Sequence, residues 1–279
     1  VQVGVVATGT LFGSGVLTLL VGLHARRFNY RTLLFMASML MTVTGFGFAA
    51  TTDFWPLLVI AIVGTLNPSS GDVSVFLPLE HALIATSVED QKRTHCFARY
   101  SLIGALLAAA GALFAGLPDL MTATLHITMK TALQAMFVLY GLLGLLSALI
   151  YATLPEEQHI GDRPPTAHLE KSKKVVYMLA TLFSIDAFGG GLVVQSMVAL
   201  WLFQKFHLSM VVTGQIFFWA GLLSAFSYLA AVRIANRFGL IKTMVFTHLP
   251  SSVFLVLIPF APTLAWAVVL LLARGALSQ

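Results

Sequence analysis

The chain has 279 residues, 58% of them hydrophobic and only 10% charged, and its mean hydropathy is +0.90. That is more apolar side chain than one soluble core of this length can bury, so lipid must be part of the solvent. The net charge of +5 lies in short breaks between apolar blocks rather than on one face, which argues against a nucleic-acid partner, and a single cysteine, Cys96, excludes a disulfide framework or a paired-cysteine zinc site.

In chain order the apolar windows fall at 3–24, 32–50, 55–83, 96–117, 132–154, 175–203, 210–232, 243–261 and 263–279. Each approaches or exceeds the roughly 20 residues a helix needs to cross about 30 Å of hydrocarbon, so nine spans or part-spans are predicted. Most breaks are short and polar or proline-bearing, such as Arg26–Arg31, Glu89–Arg93 and Pro118-Asp119, and imply antiparallel neighbouring helices. Residues 155–174 differ: long, charged and Pro-containing, they read as a linker between two membrane halves, 1–154 and 175–279. The sequence starts and stops inside apolar blocks, so it reads as a piece of a longer protein. When alternate breaks are assigned to alternate sides, all of the 16 Lys and Arg except Lys130, Lys205 and Arg274 fall on one side. By the positive-inside rule that side, with the linker, is cytoplasmic. The expectation is an all-α polytopic protein of the bacterial inner membrane.

The halves carry traces of a repeat. Shifting by 210 residues lays Ala25, Arg27 and Phe28 on Ala235, Arg237 and Phe238, and shifting by 211 lays Trp55, Gly64 and Leu66 on Trp266, Gly275 and Leu277. Residues 9–34 resemble the second span and following cytoplasmic loop of the major facilitator superfamily, whose loop pattern is G-x-L-x-D-R-x-G-R-R. Gly22, Arg27 and Arg31 fit it; Arg26 stands where the family has Asp and Asn29 where it has Gly. The later copy, 233–242, keeps Arg237, Gly239 and Lys242, with Asn236 in the Asp place. The resemblance implies a chain running from the family's second span to its tenth. It also implies an alternating-access transporter with a mid-membrane site, and a gating role for Arg27 and Arg237.

An ionisable group deep in a span is costly and therefore a functional candidate. Asp186 and Arg274 each lie about 16 Å into their blocks, near the midplane. The resemblance makes these the seventh and tenth spans, which line the central cavity. Asp186 is read as a proton or cation carrier, and Arg274 as attracting an anionic substrate group or holding Asp186 ionised; a structural ion pair is the alternative. Gly189-Gly190-Gly191 permits close helix approach, the preferred reading, or unwinding beside the site, and Gln195 is read as facing the same way as Asp186. In the third block, Asn67-Pro68-Ser69-Ser70-Gly71-Asp72 predicts a kink whose freed carbonyls, with Asn67 and Ser70, contact substrate. Asp72, Glu80 and Arg99 gather toward the cytoplasmic side as a charge cluster that latches the cavity, the alternative being solvated interfacial charges. Gly4, Gly9, Gly13, Gly15 and Gly22 point to tight packing of the first helix.

No histidine pair has the spacing of a helical metal site and there is no phosphate-binding loop, so neither cofactor, metal nor ATP hydrolysis is expected. The function expected is movement of a small solute, coupled to protons, by a monomer in the lipid bilayer. A receptor on the same fold is the alternative; an embedded enzyme would need more deep polar residues.

Overall fold

The computed structural model describes residues 2–24, 28–66, 75–155, 173–191 and 193–277. Among the described residues twelve α-helices follow one another: α1 Gln2–His24, α2 Tyr30–Ala50, α3 Phe54–Val63, α4 Phe76–Ser87, α5 Asp90–Phe114 and α6 Leu117–Leu125. Then come α7 Met129–Ala152, α8 Lys173–Gly191, α9 Gln195–Phe206, α10 Met210–Phe238, α11 Leu240–Leu257 and α12 Leu264–Leu277, with a 3-10 turn Ile258–Phe260 before α12. They map onto the nine predicted windows with one addition: α3 with α4 and α8 with α9 each share a window, and α6 lies in the break after the fourth.

Among the described residues six helical stretches are long and apolar enough to cross a bilayer singly. Pro56, Pro78 and Pro118 all occupy first turns, where a missing N–H costs no helical hydrogen bond. Large apolar side chains stand exposed along the helices, Phe12 at 69% and Phe246 at 75% among them. In water such a surface would aggregate; against lipid tails it carries no penalty. The chain is an integral, multi-pass membrane protein.

The helices pack into two compact units, Val1–Leu83 with Leu133–Leu200, and Ile84–Ala132 with Trp201–Gln279. Each unit groups helices from both sides of residues 156–172, so packing and chain connectivity divide the molecule differently.

In the first unit α1 lies on α3, and α2 contacts α3. Gly13 makes the α1–α3 approach possible: a Cβ there would land on the Ile62 carbonyl, and at Gly9 it would meet Ile62 Cγ1 and Leu58 Cδ1 at 3.1 Å. Gly4, Gly15 and Gly22 meet nothing within 4 Å, so the small-residue packing expected of five glycines belongs to Gly9 and Gly13. Gln134 Nε2 donates to the Ala49 carbonyl at 2.8 Å, satisfying a backbone acceptor at the end of α2. Tyr30, Leu33, Leu34, Ala37, Val75, Phe76 and Leu79 form the buried core, with Tyr151 of α7 packed against it.

In the second unit α10 is central and packs on α5, α11 and α12. Small residues again set the distance: Gly214 lies on the Ala112 carbonyl, and a Cβ at Gly275 would meet the Ala220 carbonyl at 2.7 Å. α10 and α11 join through the single residue Gly239 at φ +88°, a conformation that glycine alone adopts without strain. Lys205 reaches across to the 3-10 turn after α11, donating to the carbonyls of Pro259 at 3.2 Å and Ala261 at 2.8 Å, and its ammonium sits 4.9 Å from the Trp201 ring centroid.

Candidate functional site

The third window is interrupted more severely than a kink. α3 stops at Val63 after ten residues, about 15 Å, or half the hydrocarbon thickness. Gly64 is extended, with its N–H on the Ile60 carbonyl at 2.8 Å, and α4 starts only at Phe76. The end of α3 is tied to α7 by Thr65 Oγ1 and the Tyr140 hydroxyl, 3.1 Å apart, with Thr65 wholly buried. The sequence reading missed this pair, because nothing local to Tyr140 announces a partner 75 residues away. Asn67, Ser70 and Asp72 lie outside the described residues, as does Arg27.

The sixth window is broken as well. α8 ends at Gly191, and α9 begins at Gln195, with Val194 buried and its carbonyl accepting from Met197 at 2.9 Å. A Cβ at Gly189 would meet nothing within 4 Å. Close packing was the preferred reading of the glycine run; Gly189 meets no neighbour among the described residues, and the helix continues through the run and ends at Gly191. Three glycines in sequence leave the helix little propensity to continue. Gln195 is the exposed first residue of α9. It does not share a helix face with Asp186: nine residues are two and a half turns, and the helix is interrupted between them. The backbone of Asp186 belongs to α8 in the first unit; its side chain lies outside the description.

Arg274 lies on α12 in the second unit, ten residues from the helix start and therefore about 15 Å along it. It is half-buried, and its Nε is buried with no hydrogen-bond partner among the described residues. The helix turns it inward on the flank that carries Ala267 and Leu271, which are 0% and 3% exposed. His248 of the neighbouring α11 also has a buried, unpartnered ring nitrogen, Nδ1.

The charged residues read as gating are placed as follows. Glu80, on α4, accepts a hydrogen bond from the Tyr151 hydroxyl of α7, whose ring stacks on Phe76 at 5.8 Å between centroids. Glu80 is thus a partly buried member of the first unit's interior rather than a solvated surface charge. Arg99 is exposed on α5. Arg237 is exposed in the last turn of α10, where its charge complements the helix dipole, with its guanidinium 5.5 Å from the Phe238 ring centroid. Tyr151→Phe removes a charge-assisted hydrogen bond from the Glu80 carboxylate. The melting midpoint of the protein in detergent is expected to fall by the equivalent of about 1.5–3 kcal/mol, whereas Glu80→Gln, which keeps an acceptor, is expected to lose less than about half of that. Equal losses in the two variants would show that the contact depends on the carboxylate charge and not on the acceptor alone.

The sequence reading also missed Asp119, placed only in a helix-ending break. Its Oδ2 accepts from the backbone N–H groups of Met210 at 2.6 Å and Val211 at 3.2 Å, at the start of α10. A capping carboxylate 91 residues from the helix it caps leaves no sequence signal.

Comparison with known proteins agrees with this architecture. The family model described as Major Facilitator Superfamily matches residues 1–278. An uncharacterized membrane protein of Saccharomyces cerevisiae, YJR124C, is 25% identical over 294 residues, spanning 93% of this chain and 66% of its own length. This relative is from yeast and lends no support to a bacterial inner membrane. The crystal structure of a D-xylose-proton symporter matches with a TM-score of 0.64 at 16% identity, over 99% of this chain and 69% of that one, a likeness of fold. The chain belongs to the Major Facilitator Superfamily.

Proposed function

We propose that this chain forms most of the membrane core of a secondary transporter that moves a small, acidic solute by alternating access, coupled to protons. The observation that carries the reading is Arg274: a guanidinium about half a membrane deep, whose buried Nε has no acceptor among the described residues. Placing a guanidinium there costs several kcal/mol, and a carboxylate or phosphate arriving from outside the protein would offset that cost. Two interrupted windows, α3–α4 and α8–α9, favour the same reading, since irregular backbone at membrane depth persists where it lines a water-accessible cavity. Asn67, Ser70 and Gln195 then supply polar contacts from those interruptions, and Asp186 of α8 carries the proton. Asp72, Glu80, Arg99, Arg27 and Arg237 form the cytoplasmic gate, with residues 155–174 on that side. The structurally similar symporter is, by its title, a proton-coupled carrier of a sugar, which supports proton coupling as a mode this architecture sustains. A monomer suffices for such a cycle.

The test uses the full-length protein in proteoliposomes with a trapped pH-sensitive dye, a panel of organic anions and cations, and the variant Asp186→Asn. Solute-dependent proton entry is expected in the parent, with the loss of at least about 90% of it in Asp186→Asn while solute counterflow persists. Undiminished proton entry in the variant would remove Asp186 from the coupling role. Absence of counterflow in the parent would make the protein a receptor rather than a carrier.

A further inference from the structure

If the two sequence halves rock against each other, helices from opposite sides of residues 155–174 that touch in this structure must separate in the other state. α10 packs along α5 and touches α6, so their seam is such a place. We propose that Asp119 is the latch of that seam on the outer face, closed here, and released when the transporter opens outward. This inference rests on the alternating-access reading above.

The carboxylate of Asp119 holds two of the N–H groups that begin α10, at 2.6 and 3.2 Å, and sets a negative charge at the positive end of a 29-residue helix. The seam around it is tight. A Cβ on Gly116 would come within 2.8 Å of Val211 Cα, Gly214 lies on the Ala112 carbonyl, and a Cβ on Gly221 would be 3.0 Å from Ala109 Cβ. Gly104 and Gly111, seven residues apart on one face of α5, meet nothing within 4 Å, so the close fit belongs to the face of α5 that α10 covers. Small residues thus seal the outer part of the α5–α10 seam, and the carboxylate closes its outer end.

The seam is also arranged to let go. Ser209 Oγ accepts from Val212 N–H at 3.2 Å, and the Ser209 carbonyl accepts from Thr213 N–H at 3.1 Å. α10 therefore keeps a cap of its own when Asp119 leaves. Beside the carboxylate lies an open cavity of about 480 Å³, lined also by Leu120, Thr122, Phe203 and Leu208. Water entering there replaces the Asp119 carboxylate on the two freed N–H groups, so release leaves no buried donor unsatisfied.

The test places one reporter cysteine at Ala109→Cys, a seam position on α5 only 2% exposed, in the full-length protein with Cys96 and every other native cysteine changed to Ser, and follows labelling by a membrane-impermeant maleimide added outside. Slow labelling is expected with Asp119 intact. Asp119→Ala and the isosteric Asp119→Asn are expected to raise the initial rate about tenfold and about threefold, the ratios that follow from losing or weakening a charge-assisted hydrogen bond. Rates unchanged in both variants overturn the latch, and so does failure of both to fold, which would make Asp119 a fixed structural cap. Faster labelling in a protein without solute counterflow would leave the latch standing and sink the transport reading instead.

Discussion

Arg274→Gln is expected to weaken solute uptake by roughly 30-fold to 1000-fold, the consequence of losing about 2–4 kcal/mol from a desolvated charge contact. The same substitution is expected to leave the melting midpoint in detergent unchanged or slightly higher. The two signs belong together. A guanidinium in an apolar helix is a cost of roughly 2.5–3.5 kcal/mol on insertion scales, and its buried Nε has no acceptor among the described residues. A neutral amide removes that cost. If Arg274 were instead one half of a permanent ion pair, Arg274→Gln would strand the partner's charge, and stability would fall by about 3–5 kcal/mol.

Arg274→Lys sharpens the comparison. Lysine keeps the charge but loses the Nε and the planar fork, so a ligand held bidentately is expected to lose most of its affinity while a solute held only by charge is expected to retain it. Uptake of the panel by the three proteins, with melting curves alongside, separates substrate contact from scaffold. Normal uptake in Arg274→Gln would end the anionic-substrate reading.

Long-range periodic features were legible in the sequence, because hydropathy and charge are summed over many residues. All nine windows became helices, two of them as two helices each, and one further helix, α6, fills the break after the fourth. The offset repeat also has structural content. Trp55 and Trp266 are both exposed in the first turns of their helices, the position of interfacial aromatic anchors, at 72% and 59%. Gly64 and Gly275, nine residues further on, both sit where a Cβ would press on a neighbouring helix. The loop signature shows the reverse. Gly239 has a positive φ, whereas Asn29 at the equivalent offset is extended at φ −79°, so the first copy tolerates a residue with a side chain where the second needs glycine.

Long-distance polar pairs were not legible. Thr65 with Tyr140, Glu80 with Tyr151 and Asp119 with the start of α10 each join residues more than 70 apart, and none has a local pattern. The glycine run before the α8–α9 break was visible, yet the same residues permit both close packing and unwinding. Only the surrounding packing decides between those outcomes, and among the described residues Gly189 meets no neighbour within 4 Å.

Gly13 and Gly15 offer a paired experiment on a single helix. Gly13→Ala is expected to lower the stability of the protein by about 2–4 kcal/mol, because the new methyl occupies the position of the Ile62 carbonyl and α1 must move off α3. That carbonyl is among the last four of α3, which have no acceptor role within their own helix. In place of a methyl, Gly13 presents a Cα hydrogen to it, a weak contact that a side chain abolishes. Gly15→Ala, two residues on, meets open space and improves helix propensity, so it is expected to be neutral or stabilising by up to about 1 kcal/mol. Melting midpoints in detergent and the monodisperse fraction on gel filtration report both variants. A Gly13→Ala protein that melts with Gly15→Ala would mean that α1 and α3 do not approach as closely in the membrane as they do here.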